Sequence, residues 1–323
     1  MLKSIPESLD AGLEFLLGRQ SEPGCWSDWD LPPGLSDGWT TAYVGCQLAE
    51  LPCSFRSRSQ QARRAAARWL VQNQSEGGGW AYNASVGADA DSTAHALQFL
   101  SSDAVAGPVA SCDPLIAYQQ LDGGFSTYPP DAGLGSWGTS HADVTAVAGR
   151  ALLSIQGSGS AALKRARDYL LRARRTDGTW DSFWWASPLY ATSAALALLN
   201  ATEPHLDLAR THGTLVSMAV DNAFERALLI EALTQTAAYG GCHRLASLVE
   251  QLVSEQLPDG SWASAPILRL TNRLCSNPAA STALGPVFAD PGRIFTSATG
   301  LRALSHVAAK DSLTRAIQPV PRC

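Results

Sequence analysis

The stretch QSEGGGW at residues 74–80 decides the fold, because its pattern recurs along the chain. The pattern is Gln-x-x-x-Gly-x-Trp, and each copy follows a run whose apolar residues have helical spacing. Five turns show the pattern or a close variant: QSEPGCW (20–26), QSEGGGW (74–80), QLDGGF (120–125), RRTDGTW (174–180) and QLPDGSW (256–262). Repetition of this kind indicates one supersecondary unit used several times.

The helices on the two sides of these turns differ in charge. Those before the turns are amphipathic and have a solvated face: SQQARRAAARWLVQNQ (59–74), ALKRARDYLLRARR (162–175) and HRLASLVEQLVSEQ (243–256). Those after the turns carry almost no charge and open with small or hydroxyl residues: WTTAYVGCQLAEL (39–51), DSTAHALQFL (91–100), DVTAVAGRALL (143–153), YATSAALALL (190–199) and FTSATGLRAL (295–304). We expect the first set outside and the second set buried.

A further pair lacks the turn, with an outer helix near 206–218 and an inner one at 222–233. Six outer helices around six inner ones predict an all-α fold, an (α/α)6 toroid of six helical hairpins. The repeats span the chain, so residues 1–323 are expected to form one domain. No stretch alternates as a strand would.

The inner helices of such a toroid begin on the same rim. The long loops that precede them should therefore meet at one mouth, where binding and catalytic residues are expected. These loops are 27–38, 81–90, 126–140, 181–188 and 263–293.

Composition excludes several classes of protein. The hydrophobic fraction of 46% and the charged fraction of 16% indicate a globular chain rather than a disordered one. A net charge of −5 without a basic run argues against a nucleic-acid partner. Acidic residues at Glu7, Asp10 and Glu14 argue against a signal peptide, and no apolar run is long enough for a transmembrane segment. We expect a soluble, cytoplasmic protein.

The seven cysteines show no zinc-like spacing, so no structural metal is expected and free thiols are predicted. They are Cys25, Cys46, Cys53, Cys112, Cys242, Cys275 and Cys323.

The stretch GADADSTAHAL (87–97) places two carboxylates directly before an apolar helix. Asp89 and Asp91 fit a helix N-terminus, where exposed N–H groups and the helix dipole favour acidic side chains. The same position would also hold an acid at the mouth of an apolar chamber. The residues alone leave both readings open.

The turns resemble the QW repeats of triterpene cyclases, and DADSTA (89–94) is similar to the acid motifs of class II terpene cyclases. Three further segments resemble the catalytic domain of squalene-hopene cyclase: SDGWTTAYVGCQLAEL (36–51), SHADVTAVAGRALL (140–153) and DGTWDSFWWASPLYATSAALALL (177–199). The chain departs from that family at Ser92, where triterpene cyclases have a third acid, and at Val147, where the family has a histidine. Family members normally carry a second helical domain against the mouth, for which we expect no room here.

The resemblance implies a reaction that begins when a carboxylic acid protonates a terminal alkene or epoxide of a prenyl chain. Polyene cyclisation to a sesquiterpenoid, diterpenoid or meroterpenoid would follow. On this mapping Asp91 is the general acid and Asp89 assists, because two close carboxylates do not both ionise readily. Two histidines are candidates for stabilising the aspartate after proton transfer: His95, four residues along the same helix, and His141 on the same rim.

Aromatic faces stabilise carbocations without attacking them. Trp39, Tyr82, Trp184 and Tyr190 fall at positions that resemble the family's aromatic lining sites. Other candidates for substrate contact on the rim are Phe125, Trp137, Phe183, Trp185 and Phe295. The tryptophans of the turns are expected to join helices instead: Trp26, Trp80, Trp180 and Trp262.

Two alternatives remain. DPGRIFTSATGLRAL (290–304) has a faint similarity to a segment of protein prenyltransferase β subunits, but the zinc ligands of that family are missing. A non-catalytic terpenoid-binding scaffold of the same fold would use the cavity without the acid chemistry.

The partner is expected to be a small isoprenoid molecule. No cofactor is expected, and Mg²⁺ is implied only if the substrate is a diphosphate. Arg269, Arg273 and Arg293 lie near the rim for that purpose, although solvated surface is the expected position of each. Loops 126–140 and 263–293, or self-association into a homo-oligomer, are expected to close the mouth against water.

Overall fold

The computed structural model describes residues 3–102, 111–130, 133–236, 243–279, 281–282 and 284–317, with side chains through residue 310. Within these ranges the chain is mostly helical, as predicted. The helices are α1 Ile5–Gly18, α2 Gly38–Ala49, α3 Cys53–Arg58, α4 Gln60–Gln72, α5 Ala90–Ser102, α6 Asp113–Ile116, α7 Ala142–Gln156, α8 Ala161–Ala173, α9 Leu189–Thr202, α10 Ala209–Ser217, α11 Ala223–Thr236, α12 His243–Ser254 and α13 Ile294–Ile317.

The predicted inner helices pack against one another in chain order. Contacts join α2 to α5, α5 to α7, α7 to α9, α9 to α11 and α11 to α13, and α13 also contacts α2. Small residues allow the close approach. A methyl group at Gly45 of α2 would lie 2.5 Å from the Phe99 ring of α5, so only glycine fits there. The amphipathic helices lie outside, with α1 against α13, α4 against α2, α8 against α7, and both α10 and α12 against α11.

Each turn tryptophan joins the helix before it to the helix after it. The indole N–H donates over 2.7 Å to a carbonyl in the preceding outer helix, at Leu16, Leu70, Leu170 and Leu252. The backbone N–H of the same tryptophan donates to a hydroxyl at the start of the next inner helix, from Thr41, Thr93, Thr192 or Ser297. This is why the inner helices open with hydroxyl residues.

The last turn also contacts the first helix. The Gln256 side-chain amide donates to the Ser8 carbonyl of α1 over 2.9 Å. Gly260 has a φ of 88°, and a Cβ there would clash with the Ala11 carbonyl oxygen. Glycine is required on both counts, because its missing side chain permits the left-handed backbone and the close approach.

Two short antiparallel ribbons lie in the rim loops, where no strands were predicted. Asp28–Leu31 (β1) pairs with Gly34–Ser36 (β2), and Leu268–Arg269 (β3) pairs with Val287–Phe288 (β4). Strands of two to four residues are too short for an alternating pattern to register in the sequence. The buried Asp28 carboxylate ties the first ribbon to the start of α13, accepting N–H bonds of 2.8 Å from Gly292 and Ile294.

No helix in the part of the chain with assigned structure is long and apolar enough to span a membrane. Five of the seven cysteines are described, and each is a free thiol: Cys25, Cys46, Cys53, Cys112 and Cys275. Cys242 and Cys323 lie outside the described residues.

Candidate active site

A cavity of about 450 Å³ opens where the inner helices begin. This is a usual size for a site that binds a small molecule. The starts of α2, α5 and α7 and all five predicted rim loops contribute to it, and its lining is largely apolar and aromatic. The lining residues are Leu31, Pro32, Pro33, Trp39, Tyr82, Val86, Asp89, Asp91, Ser92, Thr127, Tyr128, Trp137, Asp143, Val144, Trp184, Trp185, Leu268, Arg269 and Leu270.

Asp91 lies in the first turn of α5, and its side chain is 16% exposed. Burial raises the pKa of its carboxyl well above the usual value, and the nearby Asp89 and Asp143 raise it further. The Trp39 indole N–H faces Asp91 and favours its charged form, although Nε1 makes no hydrogen bond of normal geometry to any described residue. These effects favour the neutral, protonated form of the Asp91 carboxyl.

Asp89 caps α5. One carboxylate oxygen accepts the Ser92 backbone N–H over 2.7 Å, and the other accepts the Ser92 hydroxyl over 2.7 Å. Burial raises the pKa of Asp89 to about 6, while these bonds to Ser92 oppose the rise. Because Asp89 does the capping, the Asp91 carboxyl is left for the cavity. Of the two predicted roles for this pair, Asp89 thus has the position of the helix cap and Asp91 has that of an acid at the cavity.

His95 is the histidine beside Asp91. Its Nε2 lies 3.9 Å from Asp91 Oδ2 and 3.2 Å from the Tyr190 hydroxyl, while Nδ1 is buried with no described partner. Burial, with the positive charges of two nearby arginines, lowers the pKa of His95 to about 3, so the ring is neutral. An unpaired buried N–H is rarer than an unpaired acceptor, which favours the tautomer with its proton on Nε2, facing Asp91.

His141 is held elsewhere. Its Nε2 lies 2.7 Å from the Ser136 carbonyl, and its ring stacks on Phe183 with centroids 3.6 Å apart. Burial lowers the pKa of His141 to about 4. No hydrogen bond or ion pair joins His141 to Asp91 among the described contacts, so of the two histidines only His95 lies beside Asp91.

The predicted aromatic residues fall into two groups. Those that line the cavity are Trp39, Tyr82, Trp137, Trp184 and Trp185. The others lie behind this lining. Tyr190 stacks on Trp185 at 4.1 Å, and Phe295 packs 4.8 Å from Trp39. Phe125 is fully buried in its turn, and Phe183 packs on His141.

Asp143 is a lining residue that the sequence reasoning missed. It is the second residue of α7, as Asp91 is the second residue of α5, and this shared position could have singled it out. Its carboxylate accepts the backbone N–H groups of Phe183 and Trp184 over 2.8 and 3.0 Å. Asp143 therefore fixes the loop that carries two of the aromatic lining residues. Thr127 was also missed, and its hydroxyl accepts the Trp184 indole N–H over 2.7 Å.

Arg269 was expected on the solvated surface, and this expectation is wrong. Its side chain lines the cavity, and the residue is only 8% exposed. The ribbon between β3 and β4, which the sequence did not predict, turns it inward. Arg273 is exposed, and Arg293 forms an ion pair with Asp259.

No protein-family model matches the chain. A curated relative, drimenyl diphosphate synthase from Streptomyces showdoensis, is 27% identical over 210 residues, which cover 64% of this chain and 36% of that protein. This chain thus spans about a third of the length of that relative.

Two solved structures are similar over nearly the whole chain. A protein from Actinoplanes is 28% identical with a TM-score of 0.82, covering 94% of this chain and 100% of that one. Type II terpene cyclase MstE from Scytonema is 24% identical with a TM-score of 0.82, covering 94% of this chain and 99% of that one. The named relatives are enzymes of terpenoid synthesis, and the fold of this chain is that of a type II terpene cyclase, as the sequence resemblance implied.

Proposed function

We propose that this protein is a class II terpene cyclase in which residues 1–323 form a single (α/α)6 toroid and Asp91 is the general acid. The observation that carries the proposal is the state of the Asp91 carboxyl. It lies in an aromatic cavity, and burial and two neighbouring aspartates raise its pKa and so favour the protonated form. An acid held neutral in this way can give a proton to a weakly basic carbon.

In the first step the Asp91 O–H bond breaks and its proton forms a bond to the terminal alkene carbon or epoxide oxygen. With an alkene, the π bond supplies the electron pair and positive charge develops on the adjacent carbon. With an epoxide, an oxygen lone pair takes the proton, and the ring C–O bond then breaks to leave a hydroxyl group and positive charge on the carbon. The carboxylate left behind faces the Trp39 indole N–H, which has no described partner, and the His95 Nε2–H, which lies 3.9 Å away and contacts the Tyr190 hydroxyl at 3.2 Å. These donors stabilise the charge only once it has formed, and this lowers the barrier.

The cation then passes along the chain as successive alkenes attack it. Trp39, Tyr82 and Trp185 present aromatic rings to the cavity, and cation–π attraction stabilises positive charge without adding a nucleophile. The apolar lining also excludes water, which would otherwise quench the cation early. The cyclisation ends when the last cation loses a proton or takes up water.

The relatives support a prenyl chain as the substrate. Structures of MstE variants contain its substrate, geranylgeranyl dihydroxybenzoate, or its product, merosterolic acid A. The curated relative is a drimenyl diphosphate synthase. We therefore assign a prenyl chain of sesquiterpene or diterpene length, carried on an aromatic or diphosphate head group.

The test is cyclisation by the wild-type protein and by Asp91→Asn. Farnesyl and geranylgeranyl diphosphates and prenylated hydroxybenzoic acids are incubated with each protein, and products are identified by mass spectrometry. Loss of the general acid is expected to lower the rate by about 10²- to 10⁴-fold. Asp30→Asn is the matched control, because Asp30 is an exposed aspartate of the rim loop.

Full activity in Asp91→Asn would overturn the assignment of the acid. If the wild-type protein binds these compounds but converts none of them, the protein is a terpenoid-binding scaffold of the same fold. A zinc-dependent prenyltransferase has less support. Among the residues with described positions, no three His, Cys, Asp or Glu side chains are grouped so that they could hold a metal ion.

A further inference from the structure

Arg269 is a buried cation without a matching anion. It is the only basic side chain that lines the cavity among the described residues. Its Nε is buried and makes no hydrogen bond to any residue with a described position, and its Nη2 makes one long bond of 3.4 Å to the Ala186 carbonyl. None of the described carboxylates forms an ion pair with it.

An unpaired charge in this position is unfavourable, because burial removes water and nothing replaces it. Desolvation accordingly lowers the pKa of Arg269, and the nearby Asp143 only partly opposes this. A guanidinium nevertheless stays charged in proteins. The missing partner is thus an anion that arrives with the ligand.

The surroundings of Arg269 favour an aromatic ring. Its backbone N–H donates to the Trp184 carbonyl over 2.6 Å, which places it beside the aromatic wall of the cavity mouth. In that wall the Trp184 and Trp137 rings are 5.3 Å apart, and the Trp137 and Tyr128 rings are 6.0 Å apart. A planar head group can stack or pack edge-on against such rings.

We infer that Arg269 binds the carboxylate of an aromatic acid that carries the prenyl chain, and that it thereby selects this substrate class over prenyl diphosphates. This inference rests on the proposed function, and it names the head group of that substrate. The planar guanidinium fork pairs with a carboxylate through two parallel hydrogen bonds.

Charge decides against a diphosphate. A diphosphate carries more than one negative charge, and its usual partners are several cations or Mg²⁺. The lining offers one arginine together with the three carboxyl groups of Asp89, Asp91 and Asp143. Arg273, the next arginine along the same loop, is exposed and donates to the Gly133 carbonyl instead.

The experiment measures binding without turnover. Asp91→Asn protein is titrated with farnesyl-substituted hydroxybenzoic acid, its methyl ester and farnesyl diphosphate, and the quenching of tryptophan fluorescence gives each Kd. The acid is expected to bind about 10- to 100-fold more tightly than the ester, which is the usual worth of a charged hydrogen-bonded pair. The acid is also expected to bind more tightly than the diphosphate.

Variants of Arg269 test whether this residue causes the tighter binding of the acid than of the ester. Arg269→Gln should remove the difference between acid and ester, whereas Arg269→Lys should keep part of it because the charge remains without the fork. Arg273→Gln is the control and should leave the difference unchanged. Equal binding of acid and ester by the Asp91→Asn protein, or a preference for the diphosphate, would overturn the inference.

The outcome is separable from that of the proposed function. If the acid binds through Arg269 but the wild-type protein does not cyclise it, the proposed function fails and the head-group assignment stands. If the wild-type protein cyclises the acid and its ester with equal kcat/KM, the cyclase stands and the head-group assignment fails.

Discussion

The turn tryptophans and the cavity tryptophans differ in what their indole N–H groups do. In the turns, Trp26, Trp80, Trp180 and Trp262 are at most 3% exposed, and each donates over 2.7 Å to a leucine carbonyl ten residues earlier. In the cavity the partners are irregular. Trp184 donates to the Thr127 hydroxyl, Trp137 to the Thr271 carbonyl, and Trp39 has no described partner.

This difference indicates that tryptophan has two uses in the molecule: those in the turns stabilise the fold, and those at the cavity position loops or contact the proposed acid. A turn tryptophan satisfies a carbonyl in the last part of an outer helix and fills the space between helices, so its environment is repeated wherever the motif occurs. A cavity tryptophan holds a loop or faces the acid, so its environment depends on a position that occurs once. Substitutions should therefore affect unfolding in the first group and catalysis in the second.

Trp180→Ala and Trp184→Ala test this separation most strongly. Trp180 is fully buried, and its removal leaves a cavity and an unpaired Leu170 carbonyl. We expect a loss of about 3–5 kcal/mol in the free energy of unfolding. Trp184 is partly exposed and lines the cavity, so its removal should lower kcat/KM while the unfolding midpoint changes much less. Urea denaturation and product formation measure the two effects, and a reversed pattern would break the comparison.

Gly260→Ala tests the glycine of the same turn motif. The left-handed backbone and the nearby Ala11 carbonyl both oppose a side chain there, so we expect a loss of about 1–3 kcal/mol in unfolding free energy. Gly77→Ala is the matched control, because Gly77 has open space around it. Activity at a temperature well below the unfolding transition should stay close to that of the wild-type protein. If Gly260→Ala unfolded at the same urea concentration as Gly77→Ala, contact between the last turn and α1 would not contribute to stability.

The division between turn residues that stabilise the fold and residues that line the cavity could largely be predicted from the sequence. The repeated turns indicated the helices and the rim, because Gln-x-x-x-Gly-x-Trp is a short motif whose indole N–H binds a carbonyl only ten residues earlier. Asp91, the proposed general acid, was singled out by its motif, and the structure places it at the cavity. Which aromatic residues face the cavity could not be predicted, since Tyr190 and Trp185 lie on the same segment and stack on each other, with only Trp185 at the surface of the cavity.

Long-range contacts limited the prediction for charged residues. Arg269 is turned inward by a two-residue ribbon that pairs with Val287 and Phe288, and no local pattern indicates that pairing. Asp143 is bound to the backbone of a loop about 40 residues further along the chain. The Arg269 and Asp143 contacts thus depend on residues far along the chain. The division of work between Asp89 and Asp91 depends on a local contact instead, because Ser92 is three residues from Asp89.

Ser92→Ala tests whether the Asp89 cap contributes to the stability of the fold rather than to the reaction. The Ser92 hydroxyl donates to Asp89 Oδ2, whereas the backbone bond from Ser92 to Asp89 is unaffected by the change. Removing this buried hydrogen bond should lower the free energy of unfolding by about 1 kcal/mol. The rate should fall little, because Ser92 is bonded to Asp89 and not to Asp91. Thermal unfolding and single-turnover kinetics provide the two measurements, and a large loss of rate without destabilisation would place Ser92 in the chemical step.

The pH dependence of cyclisation tests whether the charge of Asp89 raises the pKa of Asp91. Asp91 must be protonated to act, so the rate should be high below its raised pKa and should fall as the pH rises through that value. His95, with a pKa of about 3, stays neutral throughout and adds no second limb at neutral pH. Burial raises the pKa of Asp89 to about 6, and the charge of ionised Asp89 opposes ionisation of Asp91.

Asp89→Asn removes that charge and keeps an oxygen to accept the Ser92 N–H, so the cap is retained. Without the negative neighbour Asp91 loses its proton more easily, and the falling limb of the rate profile should move to lower pH. Asp30→Asn changes the net charge equally at an exposed position, and its profile should overlay that of the wild-type protein. A limb that stays in place in Asp89→Asn would mean that burial and Asp143 raise the pKa of Asp91 without a contribution from Asp89. In that case Asp89 would act only as a helix cap. Like the tryptophans of the turns, it would stabilise the fold and take no part in the reaction.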